Sequence, residues 1–412
     1  MDFAVIPLTP EQERFAAEVR AFVAEHVTDE VRERERRTGS AFAEDAYLAL
    51  AAKGWVMAAW PVAEGGAGLG PIEQRILEVE LAAAQYPWVT ASMTKKVWGV
   101  VARHLEPALA AGLKPEVAAG RVRFCLGYTE PQGGSDIAAA RLGAVRDGDD
   151  WVLDGTKTLI TGARDCQYVF LLTRTDPEVP KHKGMTTFLV PLDSAGIEIE
   201  DERMFGGERT NTLRFTGVRL PDRYRLGEAG AGWAVVHAPL DEEHSVGVDT
   251  KGLHDLSVGA IYVRPLQRAL DTTVRWSLER CAPDGPRPFD SEAVRLRLAE
   301  VALDLEVALS TPGPMGRVAG SDVMTRGSAV LVDLLGARAL LVEDAEGTLD
   351  DGEVERAFRF AHGASLYGGT PEVYRGMIAQ GVLGLPKPSF PGSRAFLGDD
   401  TPDGSAAGQE QR

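Results

Sequence analysis

LGAVRDGDDWVLDGTKTLITGA, Leu142 to Ala163, is the stretch that decides the fold of this chain. Leu142–Arg146 and Trp151–Leu153 read as strands, and Asp147-Gly148 between them is a hairpin signal. Thr158–Thr161 reads as a further strand segment, and Tyr168–Thr173, Met185–Leu192 and Thr212–Leu220 continue the pattern. Working outward, the β character begins near Val122 and ends near Gly232, with helical periodicity on either side. Upstream, Thr9 followed by Pro10, Glu11 and Gln12 is a helix start, because Thr9 caps, Pro10 suits the first helical position and Gln12 closes a capping box. Asp45–Ala52 and Glu73–Ala84 repeat the helical period, interrupted by the loop Trp60–Pro71. Downstream, Leu270–Arg280, Ser291–Leu309, Ser328–Leu341 and Val354–Leu366 are helical. Helices, then strands, then helices predict a segregated α+β protein and disfavour alternating βαβ units around a parallel sheet. The expected division is 1–121 helical, 122–231 β, 232–387 helical and 388–412 a disordered tail rich in Gly, Ser, Asp and Pro.

Length and composition agree with an ordinary globular protein. The 412 residues correspond to roughly two to three domains. A net charge of −17 repels polyanions, so nucleic acid is not an expected partner. The 3 cysteines, Cys125, Cys166 and Cys281, are widely spaced and odd in number, which fits a reduced, cytoplasmic setting. The amino terminus carries acidic residues where a signal peptide would be basic, and no apolar run approaches the roughly 18 residues of a membrane span.

The usual motifs of other enzyme classes are missing. The sequence has no GxSxG, Walker A or HExxH motif, and its His and Cys residues lack metal-ligand spacing. YTEPQGGSD (Tyr128–Asp136) is different. Gly133 and Gly134 would let a ligand approach the backbone, while Thr129 and Ser135 offer hydroxyls. Taken alone, it is as readily a plain turn after a strand.

Together with LDGTKTLITGA (Leu153–Ala163) and YGGTPEVYRGMIAQGVLGLP (Tyr367–Pro386), that block resembles the acyl-CoA dehydrogenase family over roughly residues 5 to 387. The resemblance implies an N-terminal helical domain, a middle β-barrel-like domain and a C-terminal four-helix bundle. It implies FAD as cofactor, an acyl-CoA or carrier-bound acyl thioester as substrate, and an electron-transfer flavoprotein or other acceptor. It also implies a homo- or heterotetramer. By the same resemblance Leu126, Tyr128, Thr129, Gly134 and Ser135 line the flavin ring and ribityl chain, with Ser135 also near the CoA pyrophosphate. Leu159, Ile160 and Thr161 would pack against the isoalloxazine, and Thr370 and Glu372 would also touch the cofactor. Many members carry tryptophan where Leu159 stands.

The family's reaction removes an α-proton with a carboxylate while the β-hydrogen leaves as hydride to the flavin. Many members place that carboxylate directly after the Tyr of the last block. This chain has Gly368 there, and glycine cannot accept a proton. A second family location lies early in the first long helix of the C-terminal domain, where LDEEHSVGV (Leu240–Val248) puts Glu243 on the base position. Acidic residues at a helix start are ordinarily solvated and favourable to the dipole. The loss at Gly368 turns the balance toward Glu243 as base. Asp241, His244 and Gly368 then fall to the substrate side, with His244 replacing the usual Arg.

Two further departures concern the far half of FAD. The runs by which homotetrameric members reach a neighbour's FAD are replaced by APDGPRPFD (Ala282–Asp290) and DLLGARA (Asp333–Ala339). Asp333 stands for Gln and Arg338 for Asn, and an acidic group there would repel a pyrophosphate. With GPIEQ (Gly70–Gln74) and KHKG (Lys181–Gly184), the pattern is similar to an actinobacterial subset acting on bulky sterol side-chain thioesters as α2β2 heterotetramers, whose partner subunits complete the FAD site. Three readings therefore stand: a dehydrogenase for a bulky acyl thioester, a flavin-dependent oxidase or monooxygenase on the same fold, and a non-catalytic partner subunit of a heteromeric dehydrogenase.

Overall fold

A computed structural model describes residues 8–40, 42–84, 86, 89–236, 258–279, 285–311 and 313–386. The expected tail, and Glu243 with its neighbours Asp241 and His244, lie outside the described residues.

The first 118 residues contain helices α1 Pro10–His26, α2 Asp29–Thr38, α3 Glu44–Ala52, α4 Pro71–Ala83, α5 Val89–His104 and α6 Pro107–Ala118. The capping box at Thr9 forms as the sequence predicts, with Gln12 N donating to Thr9 Oγ1 and Gln12 Oε1 accepting from Thr9 N. The strands are β1 Phe124–Gly127, β2 Gly143–Asp147, β3 Asp150–Thr161, β4 Tyr168–Arg174, β5 Met185–Pro191, β6 Ile197–Arg203, β7 Arg209–Pro221 and β8 Arg225–Leu226. They form one sheet in the order β6-β7-β3-β2-β4-β5-β8, with β1 joined in parallel to β4. The Asp147-Gly148 hairpin closes with Asp147 opposite Asp150 and Gly148 at φ +65°. The expected segments Trp151–Leu153 and Thr158–Thr161 belong to one continuous strand, β3, which bulges against β7 between Leu153 and Gly155 and again between Lys157 and Ile160.

The sheet separates two cores because strand side chains alternate between faces. Along β4, Phe170 and Leu172 enter the core shared with the N-terminal helices, whereas Val169 and Leu171 enter the other core with Leu153, Ile160 and Phe215. After the sheet, α7 Val258–Leu278, α8 Glu292–Ser310, α9 Gly313–Leu335 and α10 Glu353–Ala364 pack as a bundle with a third core built on Leu266, Val301, Met324 and Ala357. A short α11, Pro371–Met377, follows. Ser328–Leu341, expected as a helix, is the second half of α9 and a 3₁₀ turn over Gly336–Leu340.

The turn between β6 and β7 ties the three parts together. Arg203 donates to the terminal carbonyls of α2, Arg36 O and Arg37 O, both at 2.7 Å, so a side chain from the sheet satisfies groups the helix leaves open. Arg209 N donates to Gly39 O at 2.7 Å, and Arg359 Nη1 of α10 donates to Phe205 O at 2.9 Å.

Candidate active site

The site forms at the end of β3. Its second bulge puts Leu159 at φ +56°, a conformation that is uncommon for a residue other than glycine. The consequence is visible at once: Leu159 is 48% exposed, while Ile160 beside it is 1% exposed in the sheet core. Thr161 is exposed again. Of the three residues expected to line the isoalloxazine, Ile160 therefore offers this face its main chain and not its side chain. Holding a large apolar group outward at a strained position costs of order 1 kcal/mol and is found where a ligand makes use of it.

The YTEPQGGSD turn is fastened to that bulge. Thr158 N donates to Thr129 O at 2.9 Å, and Thr158 Oγ1 meets Thr212 Oγ1 at 2.8 Å. Underneath lies a buried ion pair: Lys157 Nζ, with side chain 0% exposed, donates to Glu130 Oε1 at 2.8 Å and to Tyr128 O at 3.2 Å. Glu130 also accepts from the amides of Arg141 at 2.7 Å and Leu142 at 2.9 Å and from the Gln132 side chain. Burial pushes the Glu130 carboxyl up, but Lys157 and the amides outweigh it and hold the group below the usual range. Burial pushes Lys157 down to about 8, and the carboxylate beside it offsets only part of that. The pair thus stays charged at neutral pH and fixes the turn to the strand.

Above it, Pro131 to Asp136 are all exposed, including Gly134 and Ser135. A Cβ at Gly133 would meet nothing within 4 Å, so the space over this glycine is open. At Gly134 it would approach Thr129 Cγ2 to 3.2 Å. Leu126 and Thr129 are half-buried, as is Tyr128, whose ring sits edge-on to Phe170 at 5.9 Å. From the KHKG loop, Lys181 Nζ donates to Asp136 Oδ2 at 2.8 Å, next to Ser135, and His182 packs on Trp233 at 4.6 Å. Exposed Leu159, the open glycine and the hydroxyls of Thr129, Ser135 and Thr161 suit a flat apolar ring with a polar rim.

The Gly368 turn is carried to the same end of the sheet. Thr161 is the cross-strand partner of Thr210, and two residues upstream Glu208 Oε2 accepts from the Tyr367 hydroxyl at 3.5 Å. Burial pushes the Glu208 carboxyl up; burial and then the Glu208 charge push the Tyr367 hydroxyl up. Gly368 is exposed at φ +61° and Gly369 follows at φ +96°. Thr370 caps α11 by accepting from Val373 N at 3.4 Å, and Glu372 is exposed and pairs with Arg375 at 3.3 Å. Asp333 is not an isolated acid, since Arg297 neutralises it at 2.7 Å.

Sequence reading missed Glu130, Lys157, Glu208 and Arg317, which hold the two rims and are joined only in space. Among the described residues no group of acidic, His or Cys side chains could hold a metal, and no helix is long and apolar enough to cross a membrane. A groove of about 670 Å³ between α3, the Val62–Ala67 loop and α6 contains none of the candidate residues.

Helical layer, sheet and bundle in this order, with the candidate site at the sheet's end, define a class that the comparisons identify. Residues 9–121 match the acyl-CoA dehydrogenase N-terminal domain and residues 125–218 the acyl-CoA dehydrogenase middle domain. The chain belongs to the acyl-CoA dehydrogenase family and is an oxidoreductase. It is 30% identical to acyl-CoA dehydrogenase FadE26 of Mycobacterium tuberculosis, with 93% of this chain and 99% of that protein covered. Among solved structures it is similar to a chain of the ChsE4-ChsE5 complex from Mycobacterium tuberculosis, with TM-score 0.78, 30% identity, and 93% and 100% of the two chains covered. It is likewise similar to the Tcur3481-Tcur3483 steroid ACAD, with TM-score 0.78, 27% identity, and 94% and 100% covered.

Proposed function

We propose that this chain catalyses FAD-dependent α,β-dehydrogenation of a bulky or branched acyl-CoA thioester, within a heterotetramer whose partner completes the cofactor site. The observation that carries the reading is the pairing of an exposed, strained Leu159 cradle with a turn that bears Gly368 where a carboxylate would stand. Leu126, Tyr128, Thr129, Gly134, Ser135, Leu159, Thr161, Thr370 and Glu372 would hold FAD, as would the main chain of Ile160. When bound, FAD supplies the two-electron acceptor for the β-hydrogen. The chain's own part is to orient the thioester, exclude water and take the α-proton on the Glu243 carboxylate, so that the Cα–H and Cβ–H bonds break as the double bond forms. Asp241, His244 and Gly368 would border the acyl group, and the absence of a side chain at Gly368 leaves room for branches or rings. That one relative is described as a steroid ACAD and another as part of a two-component complex supports both the bulk and the partner.

Glu243→Gln tests the reading, in the chain assembled with its partner. The variant is expected to keep FAD and bind acyl-CoA while turnover falls about 10³-fold, because only proton removal is lost. Turnover near that of the unaltered chain would remove Glu243 from this role. A colourless preparation, alone and with the partner, would favour the second reading that Gly368 supports, a non-catalytic subunit. Peroxide formed in step with turnover would favour an oxidase.

A further inference from the structure

Arg317, in α9, is 0% exposed, yet it carries a charge that burial ordinarily disfavours. Its surroundings show what it does. Nη2 donates to Tyr367 O at 2.6 Å and to Gly369 O at 2.9 Å, while Nη1 donates to Ser321 Oγ, which donates in turn to Ala364 O at 3.0 Å. The guanidinium lies 4.2 Å from the Tyr262 ring centroid and 5.6 Å from that of Tyr374. Tyr374 completes the set, its hydroxyl donating to Gly368 O at 3.0 Å.

The carbonyls of three successive residues, Tyr367, Gly368 and Gly369, are thus drawn to one side. The described chain has no cis peptide bonds. In a trans peptide the C=O and N–H point in opposite directions, so the amides of Gly368, Gly369 and Thr370 face away from Arg317 and Tyr374. Two successive positive φ values, +61° and +96°, make this arrangement, which glycine adopts without a steric penalty. A planar guanidinium can hold two carbonyls at once in a set geometry, whereas a lysine ammonium is a flexible point charge.

We propose that Arg317 is a positioning residue: by gripping the carbonyls on both sides of Gly368 it sets the peptide planes of the turn and holds its amides toward the acyl thioester. This rests on the reading that the turn borders the acyl site. The role is one of direction, distinct from holding the bundle together.

The test compares Arg317→Lys with the unaltered chain, each assembled with its partner and loaded with FAD. Hydrogen–deuterium exchange across residues 365–371 is expected to be about tenfold faster in the variant, while exchange elsewhere in the bundle is unchanged. The kcat is expected to fall by roughly 10²-fold with KM little altered, as a small displacement of an orienting group would cause. Unaltered exchange and kcat in Arg317→Lys would overturn the proposal, as would a loss of FAD, melting temperature and kcat together, which marks a merely structural residue. Arg317→Gln, which keeps a planar donor without charge, is expected to recover part of the kcat lost in Arg317→Lys, and no recovery would count against the geometric argument. Failure of the underlying reading looks different: the unaltered, FAD-loaded chain would not be reduced by any acyl-CoA thioester, whatever the exchange of the turn.

Discussion

The two rims of the candidate site hold the same unusual backbone by different means. At the β3 bulge a leucine occupies the left-handed region, and the buried Lys157 beneath it is matched by the Glu130 carboxylate. At the Tyr367–Gly369 turn glycines occupy that region, and the buried Arg317 grips carbonyls, a hydroxyl and aromatic rings. The first rim stores strain and depends on an ion pair that can titrate. The second has little strain and depends on a guanidinium that stays charged at any working pH. The difference teaches that the β3 rim is sensitive to pH and to charge removal, whereas the Tyr367–Gly369 rim is sensitive to shape.

Removing Lys157 is expected to have the largest effect. Lys157→Met leaves Glu130 buried and unmatched, and unfolding measurements are expected to show a loss of about 3–5 kcal/mol. A much smaller loss would mean that the amides of Arg141 and Leu142 suffice for the carboxylate. On the other rim, Gly369→Ala would bring a Cβ to 2.9 Å from Tyr374 Cε2, at φ +96°. Denaturant titration is expected to show a loss of roughly 1–3 kcal/mol, with a kcat reduction exceeding that of any stability-matched substitution far from the turn.

Leu159→Gly is expected to run the other way. Relief of the left-handed conformation stabilises the apo chain by up to about 1 kcal/mol, while FAD retention on gel filtration falls as the exposed apolar contact is lost. Apo stability unchanged or lower would show that the bulge is not strained. The smallest effect is on pH. Lys157 has a folded pKa near 8, below its ordinary 10.5, so above pH 8 the folded chain releases this proton while the unfolded chain keeps it. The unfolded state then binds more protons, and this group's contribution to stability rises as pH passes through about 8, by at most on the order of 1 kcal/mol per pH unit. FAD retention is expected to fall over the same window as the tie to Glu130 weakens, and both trends are expected to vanish in Lys157→Gln. Glu130 behaves conversely: its lowered pKa contributes stability above the usual carboxylate range, which is lost as acid protonates it.

Much of the framework is legible in residue order. The capping box at Thr9 and the Asp147-Gly148 hairpin are local chemistry and form where the sequence puts them. β1 escapes because Phe124–Gly127 is a short run, buried at three of its four positions, without alternation. β6 does alternate, Ile against Glu, which is the strand period with one face exposed. β3 reads as two pieces because Gly155, at φ +140°, interrupts the pattern at a bulge where a Cβ would strike Leu142 at 2.9 Å.

The sequence by itself determined the order of helical and β segments, the family, the YTEPQGGSD turn and the missing carboxylate at Gly368, since each depends on residue types and short spacings. Only the tertiary structure decided that Leu159 faces out while Ile160 faces in, that Lys157 sits under Glu130, and that Arg317 turns the peptide planes around Gly368. The physical reason is range. Caps and hairpins are set by neighbours a few residues apart, whereas these contacts join positions 27 to 52 residues apart and exist only once the cores have packed.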